Sequence, residues 1–510
     1  MNLIGNLYLE TRKNKRRFNW LCFLLMILTE LFYMSYNLNS PEDRSQGWLL
    51  MLYQMPMLNT LFLPAVISVL TSRFTDIEHK EDLFKTLYTF VKPGHLFLTK
   101  LLYGMISTAL FCSLQITLIF LMGTYRKCPD YPGSGTLIYY FATTFLVCFI
   151  LYYMQLILSY FISNQAFSIC VGLAGSFAGF FSLYLSQGVL HQILPWTLFG
   201  LSTPVGADWN SQTRIINFFL LPQDHTLFLR YAVWILLLTL TAVFLLKNSD
   251  IEKDIFSQRR HRRHTKPVKI HRVPVEILKL KNSPAWIAFF LLPLISAFIG
   301  TVNYTANLGI LKQGWYSLWS QHTLFLCYIF MPVAIAVFCS SIWRMEHTGT
   351  NMNQLLVNLS ARKIVLGKFG ASVFISWLSI LWIAFLYLTS GKIAGITQPI
   401  PAEFMDWILC GAIGSLCICS IQLFFSLVIR SFSLPVILAF TGGFAGLGMT
   451  AKWKHPYSIP YSVFSIGMRA NNPHFQLNYG AFLASAMVNI LLFLFLSIQY
   501  IKKTDSRTHE

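Results

Sequence analysis

Twelve mainly apolar stretches, each near the ~20 residues that a bilayer core demands, are spaced along the chain with short polar joints between them. In the first half they fall near 19–38, 55–72, 97–124, 136–162, 166–185 and 227–246, and in the second near 285–303, 323–343, 369–390, 406–429, 432–450 and 479–501. Runs of that length predict transmembrane helices, six per half. The fourth and fifth are divided only by Ser163, Asn164 and Gln165. The basic N-terminus followed by an apolar run looks like a signal peptide, but the run is long and no small-residue cleavage site follows before Asn37-Leu38-Asn39; it reads as an uncleaved first span. The predicted fold is an all-α polytopic membrane protein of about 12 transmembrane helices.

The polar joints repeat. The tract PAVISVLTSRFTDIEHKEDLFKTLYTFVKPGHLFLTK, Pro64 to Lys100, aligns without a gap on PVAIAVFCSSIWRMEHTGTNMNQLLVNLSARKIVLGK, Pro332 to Lys368, at a constant separation of 268 residues. Each copy is a proline-containing apolar helix, then Glu-His, an amphipathic stretch ending near Leu87 or Leu355, and a lysine that opens another apolar helix. Gly175-Ser-Phe-Ala-Gly179 matches Gly442-Gly-Phe-Ala-Gly446 at 267, Leu194 to Phe199 matches Ile459 to Phe464 at 265, and Lys13-Asn14 before Trp20 resembles Lys281-Asn282 before Trp286. The chain is a tandem duplication, with one repeat over 1–247 and another over 275–510. Between them lies a linker, 248–274, whose QRRHRRHTKPVKIHR run is too charged to bury a core.

Composition agrees with the membrane reading, since 55% of residues are hydrophobic and only 12% charged. With the N-terminus inside, 29 of the 39 lysines and arginines fall on the cytosolic side, which places both termini and the linker in the cytoplasm. The net charge of +19 then faces anionic lipid; no aromatic-interleaved basic domain exists to bind nucleic acid. Six spans per half return the chain to the same side, so the halves should run parallel as a pseudo-dimer about an axis along the membrane normal.

Nine of the ten cysteines lie in spans, leaving Cys128 in an outer loop, so no disulfide framework is implied. Cys417 and Cys419 lack His or carboxylate partners for a metal. There is no P-loop, no HExxH and no GxSxG. The chain reads as a non-enzyme that binds no cofactor of its own.

The two large cytosolic loops after the second and sixth-plus-second spans carry the chemistry that remains. Leu83, Leu87 and Tyr88 can face one side of a short amphipathic helix while Lys80, Glu81 and Lys85 face the other, the geometry needed to dock on a soluble motor. Glu30 is a carboxylate deep within a span; it either contacts a cationic substrate or hydrogen-bonds a neighbouring helix. The outer segments 186–226 and 451–478, rich in aromatics such as Trp196, Phe199, Trp209, Trp453, Tyr457, Tyr461 and Phe464, suit half-buried helices at headgroup depth, either an outer gate or an anchoring belt.

This repeated unit, with its amphipathic basic N-terminus, Glu after the second span, Leu-Tyr or Leu-Leu followed by a lysine at the third, and long outer segment before the sixth, resembles the permease subunit of type-2 ABC transporters. The resemblance covers about 5–247 and 275–503 and is greatest to the lantibiotic-immunity permeases, from which the chain departs by fusing two units. It implies ATPase-coupling roles for Glu78, His79, Leu83, Lys85, Leu87 and Lys92, and for Glu346, His347, Gln354, Leu355 and Arg362. It implies two copies of a separate ABC ATP-binding subunit that would carry ATP and Mg, a bacterial plasma-membrane location, and export of an amphipathic peptide. The fifth span lies near the subunit interface in that family, so Gly175, Gly179, Gly442 and Gly446, as paired GxxxG, are expected to seal the two halves. An ion-coupled secondary transporter and a non-transporting sensor subunit are the alternatives.

Overall fold

The computed structural model describes residues 3–14, 20–79, 83–162, 165–182, 193–209, 216–248, 285–347, 351–429, 431–451 and 455–505. Nearly all of the linker, Lys281-Asn282, Trp453 and the loop tips 80–82 and 348–350 lie outside the described residues. The chain divides into two compact units, Met1–His264 and Thr265–Glu510.

In the first unit an N-terminal helix, α1 (Leu3–Asn14), precedes α2 (Trp20–Asn37) and a one-turn α3 (Pro41–Ser45). Then come α4 (Gly47–His79), α5 (Leu83–Phe90), α6 (Pro93–Tyr125), α7 (Ser134–Phe161) and α8 (Gln165–Ser182). A 3₁₀ turn at Pro195–Thr197 leads into α9 (Leu198–Leu201), a ribbon of β1 (Val205–Trp209) and β2 (Ile216–Leu220), and α10 (Leu227–Asn248). The second unit holds α11 (Ala285–Ala306), α12 (Trp315–Phe325) continued through a π-turn (Leu326–Phe330) into α13 (Met331–His347), then α14 (Asn351–Asn358), α15 (Ala361–Ile393), α16 (Phe404–Val428), α17 (Ser433–Ala451), α18 (Pro460–Gly467) and α19 (Tyr479–Asp505).

Ten helices among the described residues are long and apolar enough to cross a membrane, and shorter apolar helices at Cys22–Asn37 and Phe167–Phe181 occupy the first and fifth places of the first unit. The duplication is metrical. The second span of each unit, 47–79 and 315–347, runs 33 residues, as does each third span, α6 and α15. At 1.5 Å per residue such a helix is about 50 Å long, well beyond a ~30 Å hydrocarbon core. Both helices therefore carry their ends, and the Glu-His pair, out past the apolar slab. α6 and α15 start at equivalent positions with different residues: Pro93 takes the first turn of α6, where a missing N–H costs nothing, while α15 starts with Ala361 after Ser360, whose side chain makes no capping hydrogen bond.

The opposite end differs from expectation in the first unit. Instead of headgroup-level helices alone, Val205–Trp209 and Ile216–Leu220 pair as an antiparallel ribbon, with Val205 opposite Leu220 and Trp209 opposite Ile216. It is fastened to the start of α4: the Gln46 side-chain oxygen accepts from the Phe218 N–H at 2.7 Å, and Phe218 packs against Tyr53 at 5.3 Å. In the second unit α18, buried along its whole length, takes the place of the 3₁₀ turn and α9 of the first.

These segments also show what the paired glycines meet within their own unit. A Cβ on Gly175 would overlap the Trp196 indole, one on Gly179 would meet the Trp196 carbonyl and Thr60, and those on Gly442 and Gly446 would meet Tyr461. The small faces of α8 and α17 are thus filled by an aromatic of their own unit, at the two positions the sequence repeat equates. Small residues permit close approach, but the partner they admit here is the outer segment. In the second unit Tyr461 Oη also accepts from Gln422 Nε2 at 2.6 Å. Gly442→Leu should lower the stability of the full chain by about 1–3 kcal/mol through overpacking, read as thermal unfolding in detergent, and adding Tyr461→Ala should recover part of the loss. A Gly442→Leu protein as stable as wild type would remove this packing account.

Candidate functional site

The repeated tract closes on itself in each unit. α4 emerges with Glu78 at its penultimate position, and the eighth residue of α6 is Lys100; the Lys100 ammonium reaches Glu78 Oε1 at 2.9 Å and the Phe74 carbonyl at 2.7 Å. In the second unit Lys368 reaches Glu346 Oε1 at 3.0 Å and the Ile342 carbonyl at 3.3 Å, and lies 5.0 Å over the Trp343 ring. The acceptor carbonyl is four residues before the glutamate in both copies. It lies on the same helix face, one turn back.

The histidine of each pair points elsewhere. His79 Nε2 donates to the Ser159 carbonyl at 2.9 Å and His347 Nε2 to the Ser426 carbonyl at 3.4 Å, both at the last turn of the fourth span. One dipeptide thus ties the end of the second span to two others: the glutamate to the third, the histidine to the fourth. In the first unit α1 joins as well, with Lys13 at 3.2 Å from Glu10 and 3.3 Å from Glu78, and Lys100 at 3.5 Å from Glu10. Burial alone would lower the Lys13 pKa, but the Glu10 and Glu78 carboxylates outweigh it and raise the value above that of an ordinary lysine.

The ionic pairs are fully interior: Glu78 is 0% exposed, Lys100 1%, Glu346 3% and Lys368 0%. Two charges taken from water are tolerated only when each neutralises the other and spare protons find acceptors, which the Phe74 and Ile342 carbonyls provide. Glu78 and Glu346, expected on a docking surface, therefore face inward. So do the bonding nitrogens of His79 and His347. These four residues form the root of the loop and do not supply its outer face.

The outer face belongs to the short helices. α5 and α14 are each eight residues long and begin 268 residues apart. Phe84 anchors α5, its ring 4.9 Å from His79 and 5.0 Å from Tyr160, and Tyr88 Oη donates to Tyr160 Oη at 3.3 Å. Leu87 and Leu355 are half-buried, while Lys92 and Arg362 are exposed. Exposed apolar groups remain: Leu83 and Phe90 at the first loop, Val357 and Leu359 at the second, with Phe90 82% and Val357 84% exposed. The side chains of Lys85 and Gln354 lie outside the described residues. Glu30 sits apart from this end, buried in α2 and accepting from Gln115 Nε2 at 2.7 Å. Reading the sequence alone misses Lys100, Lys368, Ser159 and Ser426 as functional groups; the two lysines carried a signal, since they end the gapless repeat 22 residues after each glutamate.

The profile of the ABC-2 family transporter proteins matches residues 6–179 and again 273–446. The chain belongs to this family. It is a membrane permease of the ABC-2 kind in which two family units are fused. No curated protein and no solved structure is significantly similar to it.

Removing one partner from either buried pair leaves the other charge less well neutralised. Lys368→Met should cost about 3–5 kcal/mol, whereas Lys368→Met combined with Glu346→Met should recover most of that loss; Lys100→Met should cost less, because Glu78 keeps Lys13 at 3.3 Å. Thermal unfolding of the full chain in detergent reads all three; a Lys368→Met protein as stable as wild type would show that the pair is not buried as described.

Proposed function

We propose that this permease is the membrane subunit of an ATP-driven exporter whose motor is a separate ABC ATP-binding subunit, present in two copies that carry ATP and Mg. One copy docks under α5 and the other under α14, on the cytosolic side. The observation that carries this reading is the doubled joint: in each unit a short, partly exposed amphipathic helix is rooted by Glu-His to the third and fourth spans. A push on the short helix is then delivered to three long helices together. A loop that served only as a connection needs no buried ion pair at its root, since burying the charges costs more than it returns unless geometry is fixed.

Docking falls to the groups that face outward, Leu83, Phe90 and Lys92 in the first unit and Val357, Leu359 and Arg362 in the second. The cargo is an amphipathic peptide of the antimicrobial, lantibiotic-like class, moved outward from the membrane to protect the cell. The cell is bacterial, with both termini cytoplasmic. The aromatic outer segments, held on the glycines of α8 and α17, cover the exit side.

The deciding experiment is purification of the full chain from its native membrane. A P-loop ATPase should accompany it, and its yield should fall in Phe90→Asp and Val357→Asp while the permease stays monodisperse. Absence of any ATPase from the wild-type preparation, with the permease intact, would refute the reading.

A further inference from the structure

A second polar assembly lies in the interior of the first unit, and the second unit carries a different one at the equivalent places, where buried His322 contacts Ser296, Thr301 and Ser390. Glu30 on α2 accepts from Gln115 Nε2 on α6 at 2.7 Å; the other N–H of that amide donates to Asn59 Oδ1 on α4 at 2.9 Å. Asn59 Nδ2 donates to Gln115 Oε1 at 3.2 Å and to Tyr140 Oη on α7 at 3.1 Å, and Tyr140 Oη donates to Gln115 Oε1 at 3.2 Å. Every N–H of the two amides and the phenol O–H are spent within the cluster. Glu30 Oε2, wholly buried, is left without a partner.

A buried carboxyl oxygen with no donor is costly in an apolar interior, and the cluster has no hydrogen left to give. A cationic N–H would supply the donor and at the same time neutralise Glu30. The surroundings define the rest of the ligand. Met34, one turn beyond Glu30, Met55, one turn before Asn59, and Met51 and Met122 belong to one buried hydrophobic cluster with Ile119 and Tyr140. Methionine is unbranched and polarisable, so a core of this composition can repack around an apolar chain.

The second unit discards both features at the equivalent places. Asn59 and Gln115 become Cys327 and Ile383 at a separation of 268, Glu30 becomes Ser296 at 266, and the methionine positions carry Gly300, Trp319, Thr323 and Ser390. A duplication that preserves its Glu–Lys joint to the residue has kept this cluster on one side only. Helix packing does not demand a carboxylate there, since the second unit places His322, Ser296, Thr301 and Ser390 at this level instead.

The geometry points to a binding site in the first unit for the primary ammonium group of a cationic amphipath, its charge on Glu30 Oε2 and its apolar chain along Met34, Met51, Met55 and Met122. This deepens the export reading by naming the ligand chemistry. A lysine-bearing peptide and an aminolipid headgroup both offer it.

The test uses the full chain in nanodiscs of phosphatidylcholine and phosphatidylglycerol, titrated with dodecylammonium or dodecanol against empty nanodiscs. Wild type should bind dodecylammonium saturably and about 10-fold or more tighter than dodecanol, the value of one charge-assisted hydrogen bond. Glu30→Gln should erase that preference, and Ser296→Ala should keep it. Met55→Thr with Met122→Ser, which copies the second unit, should weaken both probes alike. Loss of dodecylammonium binding when phosphatidylethanolamine replaces phosphatidylcholine assigns the site to a lipid amine. Competition by an amphipathic peptide with free lysines, but not after their acetylation, assigns it to a peptide amine; either supports the site. Equal binding of the two probes by wild type, or a preference that survives Glu30→Gln, overturns it. The wild-type comparison needs no variant to fold, and no ATPase is present, so failure here is distinct from failure of the export reading.

Discussion

A lysine ammonium and a glutamate carboxylate that have both left water hold each other in one geometry or destabilise everything around them. Glu78–Lys100 and Glu346–Lys368 are such pairs, and the rest of each unit is arranged to satisfy them. The second and third spans must be long enough to bring their ends together beyond the apolar slab, which 33 residues achieve. The carbonyl one turn before each glutamate must remain open to a second acceptor role. The histidine beside each glutamate must turn to the fourth span, which fixes the direction in which the short helix leaves.

Much of this was legible in the sequence, for a physical reason. Span placement rests on hydropathy, which the bilayer enforces on every helix, and the gapless 268-residue repeat already required two equal pairs of helices and two equal eight-residue loops. The orientation of Glu78 was not legible, because its neighbours Ile77, His79 and Lys80 make the end of α4 look like the start of a solvated loop. The helix in fact continues to His79 and keeps Glu78 in phase with Phe74 and the core. The recurrence of a lysine at the same distance from both glutamates was the available clue. Gly175/Gly179 and Gly442/Gly446 illustrate a different limit: small residues announce that something comes close but carry no information on what. Only the positions of Trp196 and Tyr461 answer that. The ribbon of β1 and β2 escaped because five-residue strands in an aromatic-rich segment leave too little alternation to separate them from an interfacial helix.

The two units have aged unequally, and where they differ is informative. The joint, its histidine, the short helix and the aromatic lock on the fifth span survive in both. The interior of the four-helix core does not: the first unit spends it on Glu30, Asn59, Gln115 and Tyr140 beside a methionine-rich core, and the second places Cys327 and Ile383 there and gathers Ser296, Thr301 and Ser390 on His322. On the proposed reading, elements that receive a mechanical input are constrained twice, whereas a site that recognises one ligand is needed once. A fused pair of permease units allows that division, which a subunit pairing with an identical copy cannot reach.

The central claim is that the Glu–Lys pair transmits motion from a docked motor and does not itself dock it. Charge exchange in the full chain, assembled with its ATPase in proteoliposomes, separates the two roles. Glu346→Lys and Lys368→Glu should each retain the bound ATPase yet lose ATP-driven peptide transport, and the exchanged double variant should regain it. Single variants that keep the ATPase and transport at the wild-type rate would contradict the account.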